Sequence, residues 1–266
     1  MQFKVKSPFR YPGGKFYALK YLLPYIEAIP HKDFREVFAG GGSVYFGKKL
    51  SLKNWINDID EELVNTYQVI KDPKLSKQLI KRMEVEIASK ERHLNIKEYL
   101  PKTKLDRAFK YFYLNRTSYS GIMHKPAWGY KIGKSSPPVN WGGMVINARE
   151  KLKKTRITDY DFEKVITTKS KHLDKDVLLY LDPPYLVADQ KRAYKNSFTM
   201  KEHLRLCSLL KKTKYNFVLS YDNSPQILEL YKWANTIELT WNYNTSNIAG
   251  GKRKKGKEIL ITNCSF

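Results

Sequence analysis

The tetrapeptide Asp182-Pro183-Pro184-Tyr185 follows directly on the apolar run Val177–Leu181, "VLLYL". The prolines fix the backbone and remove two N–H donors. What remains is an array of acceptors, the Asp182 carboxylate and the Pro183 carbonyl, beside the flat ring of Tyr185. Such an arrangement suits an aromatic amine, because the acceptors take its N–H bonds while the ring stacks the base. A plain turn after a strand would use the same residues. The place of this one, at the tip of a core strand, favours the site.

Three further stretches carry chemistry. In Phe38-Ala39-Gly40-Gly41-Gly42-Ser43, three glycines let the backbone pass close to a ligand. The run fits neither G-x-G-x-x-G nor a phosphate loop, so a tight turn and a cofactor loop both remain open. Asp58 closes "NWIND" and could accept hydrogen bonds from the two hydroxyls of a ribose. The alternative role, a helix cap, is better served by Asp60. Together these two signals favour a nucleoside-type ligand. Last, "SPFRYPGGK" (Ser7–Lys15) makes an exposed loop with a basic end, or an ordinary N-terminal turn.

The elements that must position these residues alternate. "DFREVFAGGGS" reads as a strand into a glycine turn, and "SVYFGKKL" opens a helix. "NWIND" is a short strand; "DEELVNTYQVIKD" is a helix capped by Asp60 with Leu63, Tyr67 and Ile70 on one face. Much later come the strand "VLLYLD", a helix over Met200–Lys212, the strand "NFVLSYDN" and the helix "PQILELYKW". Two closing strands, "NTIELTWNY" and "KEILITNCSF", flank "NTSNIAGGKRKKG" and read as an antiparallel hairpin. Strand–helix alternation predicts an α/β fold with a mostly parallel sheet covered on both faces. Ligands of such sheets sit beyond the carboxyl ends of the strands, where the glycine run, Asp58 and Asp182 all fall.

Residues 73–155 differ. Charged helical sequence gives way to "LDRAFKYFYLNRTSYSGIMHKPAWGYKIGKSSPPVNWGG", aromatic and basic with weak periodicity. We read the second part as irregular and the whole as an inserted subdomain. It divides a core domain into residues 1–72 and 156–266. A long irregular stretch within a domain is functional or disordered, and the aromatic content argues against disorder.

Net charge is +23. An excess of that size points to a polyanionic partner, since neutralising phosphates releases counterions. The 19 tyrosines favour nucleic acid over a membrane surface, because rings stack on bases. Cys207 and Cys264 give neither a metal spacing nor a disulfide framework. No apolar run resembles a signal peptide or a membrane span. The expectation is a soluble, cytoplasmic protein without a metal.

At this point the residues resemble a known family. "SPFRYPGGK", "VFAGGGSVYF", "NDIDEELVNTY", "LDPPY" and "FVLSYDN" occur in the order seen in Dam-type DNA adenine-N6 methyltransferases. "NRTSYSG" (Asn115–Gly121), "DYDFEKVI" (Asp159–Ile166) and the terminal "EILITN" are similar to further segments of that family. The match spans nearly the whole chain.

The resemblance implies a Rossmann-like methyltransferase sheet with a C-terminal antiparallel hairpin and a mainly helical target-recognition insertion. It implies S-adenosyl-L-methionine as cofactor and DNA, taken as double-stranded, as partner of a monomer. Tyr11 and Lys15, with Gly13 and Gly14 between them, would contact the cofactor; Tyr11 stands at a position often held by tryptophan. Gly40 to Gly42, flanked by Phe38, Ala39 and Ser43, would pass under its methionine part. Asp58, with Ile59 beside it, would bind the ribose, and Asp161 and Phe162 would border the adenine. Asp182 would lie where cofactor and target base meet, and Pro183, Pro184 and Tyr185 would hold the base.

Acceleration would come largely from alignment of the reacting atoms, which can supply roughly 7–11 kcal/mol. Asp182 is not assigned as a strong general base, because the proton can leave after transfer.

A target inside a duplex must be flipped out, at a cost on the order of a few kcal/mol. Tyr119 is the candidate filler of the gap. Arg116, His124, Lys125, Lys131 and Lys134 are candidates for base edges or phosphates. Lys252, Arg253, Lys254 and Lys255 would track phosphates. "HKPAWGYKIGKSS" replaces the glycine-Glu-Phe-Asn hairpin of GATC-specific relatives, so the recognition sequence stays open. So does a role in restriction-modification, a phage or orphan regulation. Cytosine-N4 methylation is the rival within the class, and an inactive DNA-binding relative the rival outside it; RNA is the less favoured substrate.

Overall fold

A computed structural model describes residues 5–186, 198–242 and 255–266 of the chain. Its centre is a seven-stranded sheet in the order β3-β2-β1-β4-β5-β7-β6. The strands are β1 (Asp33–Glu36), β2 (Lys53–Asn57), β3 (Thr155–Thr158), β4 (Val177–Leu181), β5 (Asn216–Asp222), β6 (Asn235–Asn242) and β7 (Lys255–Thr262). β1, β2, β3, β4 and β5 pair in parallel, and β7 runs antiparallel to both β5 and β6. The chain works outward from β1 to β3, then returns to the centre with β4. The order therefore reverses between β1 and β4, where open α/β sheets bind ligands.

Alternating side chains send the central strands into two cores. In β4, Leu178 and Tyr180 join one apolar cluster, while Val177, Leu179 and Leu181 join the other. The first cluster is filled by helices α1 (Leu19–Ala28), α2 (Ser43–Gly47), α3 (Glu61–Lys71), α4 (Pro73–Glu84), α5 (Lys90–Glu98), α6 (Lys104–Thr117) and α7 (Trp141–Leu152). The second is covered by α8 (Phe162–Thr167), α9 (Met200–Lys212) and α10 (Pro225–Leu230). Helix starts follow local chemistry. Asp60 accepts from the amides of Glu62 and Leu63, and Asp72 caps α4 ahead of Pro73. Thr103 and Asp106 form a reciprocal capping box at α6.

One expectation is corrected here. The stretch beginning "LDRAFKYFYLNRT", read as irregular, opens with the 14-residue helix α6. Phe109, Tyr111, Phe112, Tyr113 and Leu114 are all buried, so the helix is apolar on several sides and shows little periodicity. The edge strand β3 and the helix α1, which carries Pro24 inside it, were also not read from the sequence. Helices α4, α6 and α7 pack on α3, α5 packs on α6, and all four share the cluster that contains Phe34 and Tyr45. Among the described residues no helix is long and apolar enough to cross a membrane.

Candidate active site

A cavity of about 260 Å³ opens at the carboxyl ends of β1 and β4. Each strand delivers part of its wall. The turn after β1 supplies Phe38, Ala39, Gly40, Gly41 and Ser43; the end of β2 supplies Asp58 and Ile59. The loop after β3 supplies Asp161 and Phe162, and that after β4 supplies Asp182 and Pro184. The N-terminal loop closes the cavity with Tyr11, Gly13, Gly14 and Lys15. Gly42 stands behind the wall at φ 65°, turning the chain into α2. Pro183 is buried, and Tyr185 is reached through Lys15.

The glycine turn is required by Tyr11. A Cβ on Gly40, whose φ is +47°, would lie 2.8 Å from the Tyr11 ring. A side chain there would push the ring off the turn and open the cavity.

Three of the acids that line this space are shifted upward. Burial pushes the Asp58 carboxyl up to about 6, against the amides of Asp60 and Gly40, which pull it down. Those amides reach separate oxygens, at 3.0 Å and 2.7 Å. Two separately anchored carboxylate oxygens are the pattern that two neighbouring hydroxyls would meet. Glu36, accepting from the amide of Tyr45 at 2.7 Å, is pushed up to about 8 by burial, with Asp182 adding to the shift. Asp182 is pushed up to about 6, chiefly by burial; Lys15 pulls it down and Glu258 pushes it up. A cationic guest would stabilise the ionised form of each of these three acids. The sulfonium and ammonium of an S-adenosylmethionine-type donor fit that description.

Beyond Asp182 lies a tighter corner. Lys15 Nζ is 2.8 Å from Asp182 Oδ1 and 3.7 Å from Glu258 Oε2. It also lies 4.8 Å from the centroid of the Tyr185 ring. Ser220 Oγ donates to Glu258 Oε2 at 3.0 Å and lies 3.2 Å from the Tyr185 hydroxyl. An N–H donor thus rests on the Asp182 carboxylate beside an aromatic ring, the environment expected for the target amine.

Of the DNA candidates, Arg116 lies in the last turn of α6 and Tyr119 just beyond it. Arg10 sends one guanidinium nitrogen to the carbonyls of Asn115 (3.1 Å), Arg116 (2.5 Å) and Ser118 (2.8 Å). The Asn115 side chain returns bonds to both the amide and the carbonyl of Arg10. This stitch ties the loop ahead of Tyr11 to "NRTSYSG". Tyr119 is 57% exposed, and its amide donates to Ala127. Gly129 packs so close to Tyr119 that a Cβ would lie 2.4 Å from its Cα. Arg116 is half-buried, and burial together with Arg10 lowers its pKa to about 10. His124 is half-buried; Lys125, Lys131 and Lys134 are exposed, the latter two in a turn closed by a Lys134-to-Lys131 backbone bond. Lys252, Arg253 and Lys254 lie outside the described residues, and Lys255 enters only as the first residue of β7.

Sequence reasoning missed several residues of the site. Glu36, Asn57, Tyr160, Phe198, Glu202 and Arg205 also line the cavity. Glu36 carried a signal, an acid at the end of a buried strand one step before the glycine turn. Arg205 and Glu258 carried none, since pairing across the sheet and helix packing bring them in.

The sheet order, the cavity at its switch point and the Asp-Pro-Pro-Tyr corner define a methyltransferase of the Rossmann-like class. The model of the D12 class N6 adenine-specific DNA methyltransferase family matches residues 11–245, and the chain belongs to that family. It is 30% identical to the type II methyltransferase M1.LlaDCHI of Lactococcus lactis subsp. cremoris, over 96% of this chain and 94% of that protein. It is 27% identical to the type II methyltransferase M.CviBI of Paramecium bursaria Chlorella virus NC1A, over 85% of this chain and 86% of that protein. A DNA N-6-adenine-methyltransferase of Escherichia phage P1 is 26% identical over 85% of this chain and 31% of its own length. The activity is adenine-N6 methylation of DNA, and family and fold imply an S-adenosylmethionine-type donor.

Proposed function

We propose that the cavity holds S-adenosyl-L-methionine and that the Asp182 corner receives an adenine flipped out of double-stranded DNA. When bound, the donor supplies an electrophilic methyl on a positively charged sulfur. The chain's residues do the rest. Asp58 accepts the ribose hydroxyls, Asp161 and Phe162 border the adenine of the donor, and the turn Gly40–Gly42 lets its methionine part lie against backbone. Glu36 and Asp182 face its positive charge.

The observation that carries this reading is the Lys15–Asp182–Tyr185 corner. It offers one carboxylate and one ring at the rim of the donor cavity. Asp182, with the Pro183 carbonyl, takes the two N–H bonds of the target amine. That drains electron density toward its nitrogen and stabilises positive charge as the new bond forms. Tyr185 stacks the base. Pro183 and Pro184 hold this geometry without offering a donor that would compete. Lys15 must yield Asp182 to the incoming amine.

Residues 115–140 read the DNA. Tyr119, exposed at the end of the Arg10-stitched loop, fills the gap left by the extruded base. The helices of residues 73–155 serve as the support of this recognition unit.

The test is mass spectrometry of DNA digested after incubation with the protein and donor. N6-methyladenine is expected from the wild type and none above background from Asp182→Ala, which still binds DNA. N4-methylcytosine in place of N6-methyladenine, or full activity in the variant, would overturn the assignment of the corner.

A further inference from the structure

Arg205, on α9, reaches across the cavity mouth to the residue at the start of α8. Its Nη1 donates to Asp161 Oδ1 at 3.1 Å and its Nη2 to Asp161 Oδ2 at 2.7 Å, a two-pronged fork. Nη1 also reaches Glu163 Oε2 at 3.2 Å. The guanidinium lies 4.1 Å from the centroid of the Phe162 ring, and Arg205 itself lines the cavity. The fork is planar and always charged, so it fixes the plane of the carboxylate it holds.

The bonds at Asp161 can be counted. Oδ1 accepts from Arg205 and from the Glu163 amide at 2.9 Å, which fills it. Oδ2 accepts from Arg205 alone, and one lone pair remains. A carboxylate free to rotate would offer several equivalent acceptor positions. Held by the fork and the helix cap, Asp161 offers a single one. A single acceptor at the edge of a nucleoside cavity suits an exocyclic amine and rejects a carbonyl in its place.

We infer that Arg205 is a positioning residue that fixes Asp161 to read the 6-amino group of the donor's adenine. The inference rests on the placement of the donor given above, with its adenine at Asp161 and Phe162. Arg205 acts through Asp161, so its loss erodes recognition of the amine more than it weakens the general grip on a nucleoside.

The experiment uses calorimetry on the full-length protein with two probes, S-adenosylhomocysteine and its 6-oxo counterpart S-inosylhomocysteine. The wild type is expected to prefer the amine by about tenfold or more, the worth of a hydrogen bond to a charged group. Arg205→Ala should weaken the adenosyl probe by about tenfold and leave the inosyl probe within about twofold, closing the gap. Arg205→Lys keeps the charge but not the fork and should fall between. In turnover, KM for the donor rises and kcat stays within about twofold. Equal weakening of both probes, or an unchanged preference, would overturn the inference while leaving the donor site intact. A wild type that binds neither probe would overturn the donor placement, and this inference with it.

Discussion

Lys15 Nζ sits 2.8 Å from Asp182 Oδ1, inside a corner where Lys15 is 6% exposed. The lysine holds down a carboxyl that burial and Glu258 drive up to about 6. Accepting the target amine requires the ionised form, so kcat/KM should fall as pH drops through about 6. In Lys15→Gln the downward pull is gone and the acid limb should move to higher pH. A pH–rate profile on the variant tests this, and an unmoved limb would show that another group titrates.

Asp182→Asn keeps the shape of the corner and removes its charge. Transfer should slow by about a hundred- to a thousandfold, the usual effect of deleting one electrostatic contact at a reacting atom. DNA affinity should stay within a few-fold, because the corner is a small part of the contact. Single-turnover rates and a binding titration separate the two.

Glu36 makes stability depend on pH in a definite direction. Its carboxyl holds a proton up to about 8 in the fold and releases it near 4.5 when unfolded. Between those values the folded state binds more protons, so stability falls as pH rises. Glu36→Gln can still accept from Tyr45 and lacks that slope. Its melting temperature should gain on the wild type as pH goes from about 5 to about 8; a constant difference between the two would contradict the buried, protonated acid.

Gly121 has φ +72° and faces Arg10 so closely that a Cβ would meet the Arg10 carbonyl at 2.4 Å. That neighbour is backbone and cannot swing aside. Gly121→Ala should cost about 1–3 kcal/mol or more, lowering Tm by several degrees and weakening DNA binding. Thermal unfolding and a DNA titration measure the two, and a wild-type melting point would mean that the stitch is slack.

Tyr119→Ala removes the candidate filler from an exposed position, so the fold should be spared. Affinity for cognate duplex should drop by about 1–3 kcal/mol. With 2-aminopurine at the target, the fluorescence rise on binding should shrink. Undiminished fluorescence would give the filling role to another residue.

Much of the sheet could be read from local chemistry. Alternating strands and helices, Asp60 as a cap and the glycine turn before α2 each stand in a short window of sequence. So did the acceptors at Asp182, because their place at the tip of a buried strand set them apart from an ordinary turn. What escaped reading depends on distant packing. Helix α6 hid its period because tertiary neighbours cover most of its circumference. Ser220 meets Glu258 only because β7 inserts beside β5 in a particular register. Arg205 looks like any surface arginine on an amphipathic helix until α9 is laid against α8.

The Arg10 stitch bears on how such proteins can be re-engineered. Asn115 and Gly121 are shaped around one residue more than a hundred positions upstream, so the segment proposed to read the DNA is not a free-standing cassette. A chimera that imports a relative's segment 115–129 must import its matching residue 10 as well. Otherwise the graft arrives with three carbonyls that have lost their shared guanidinium partner.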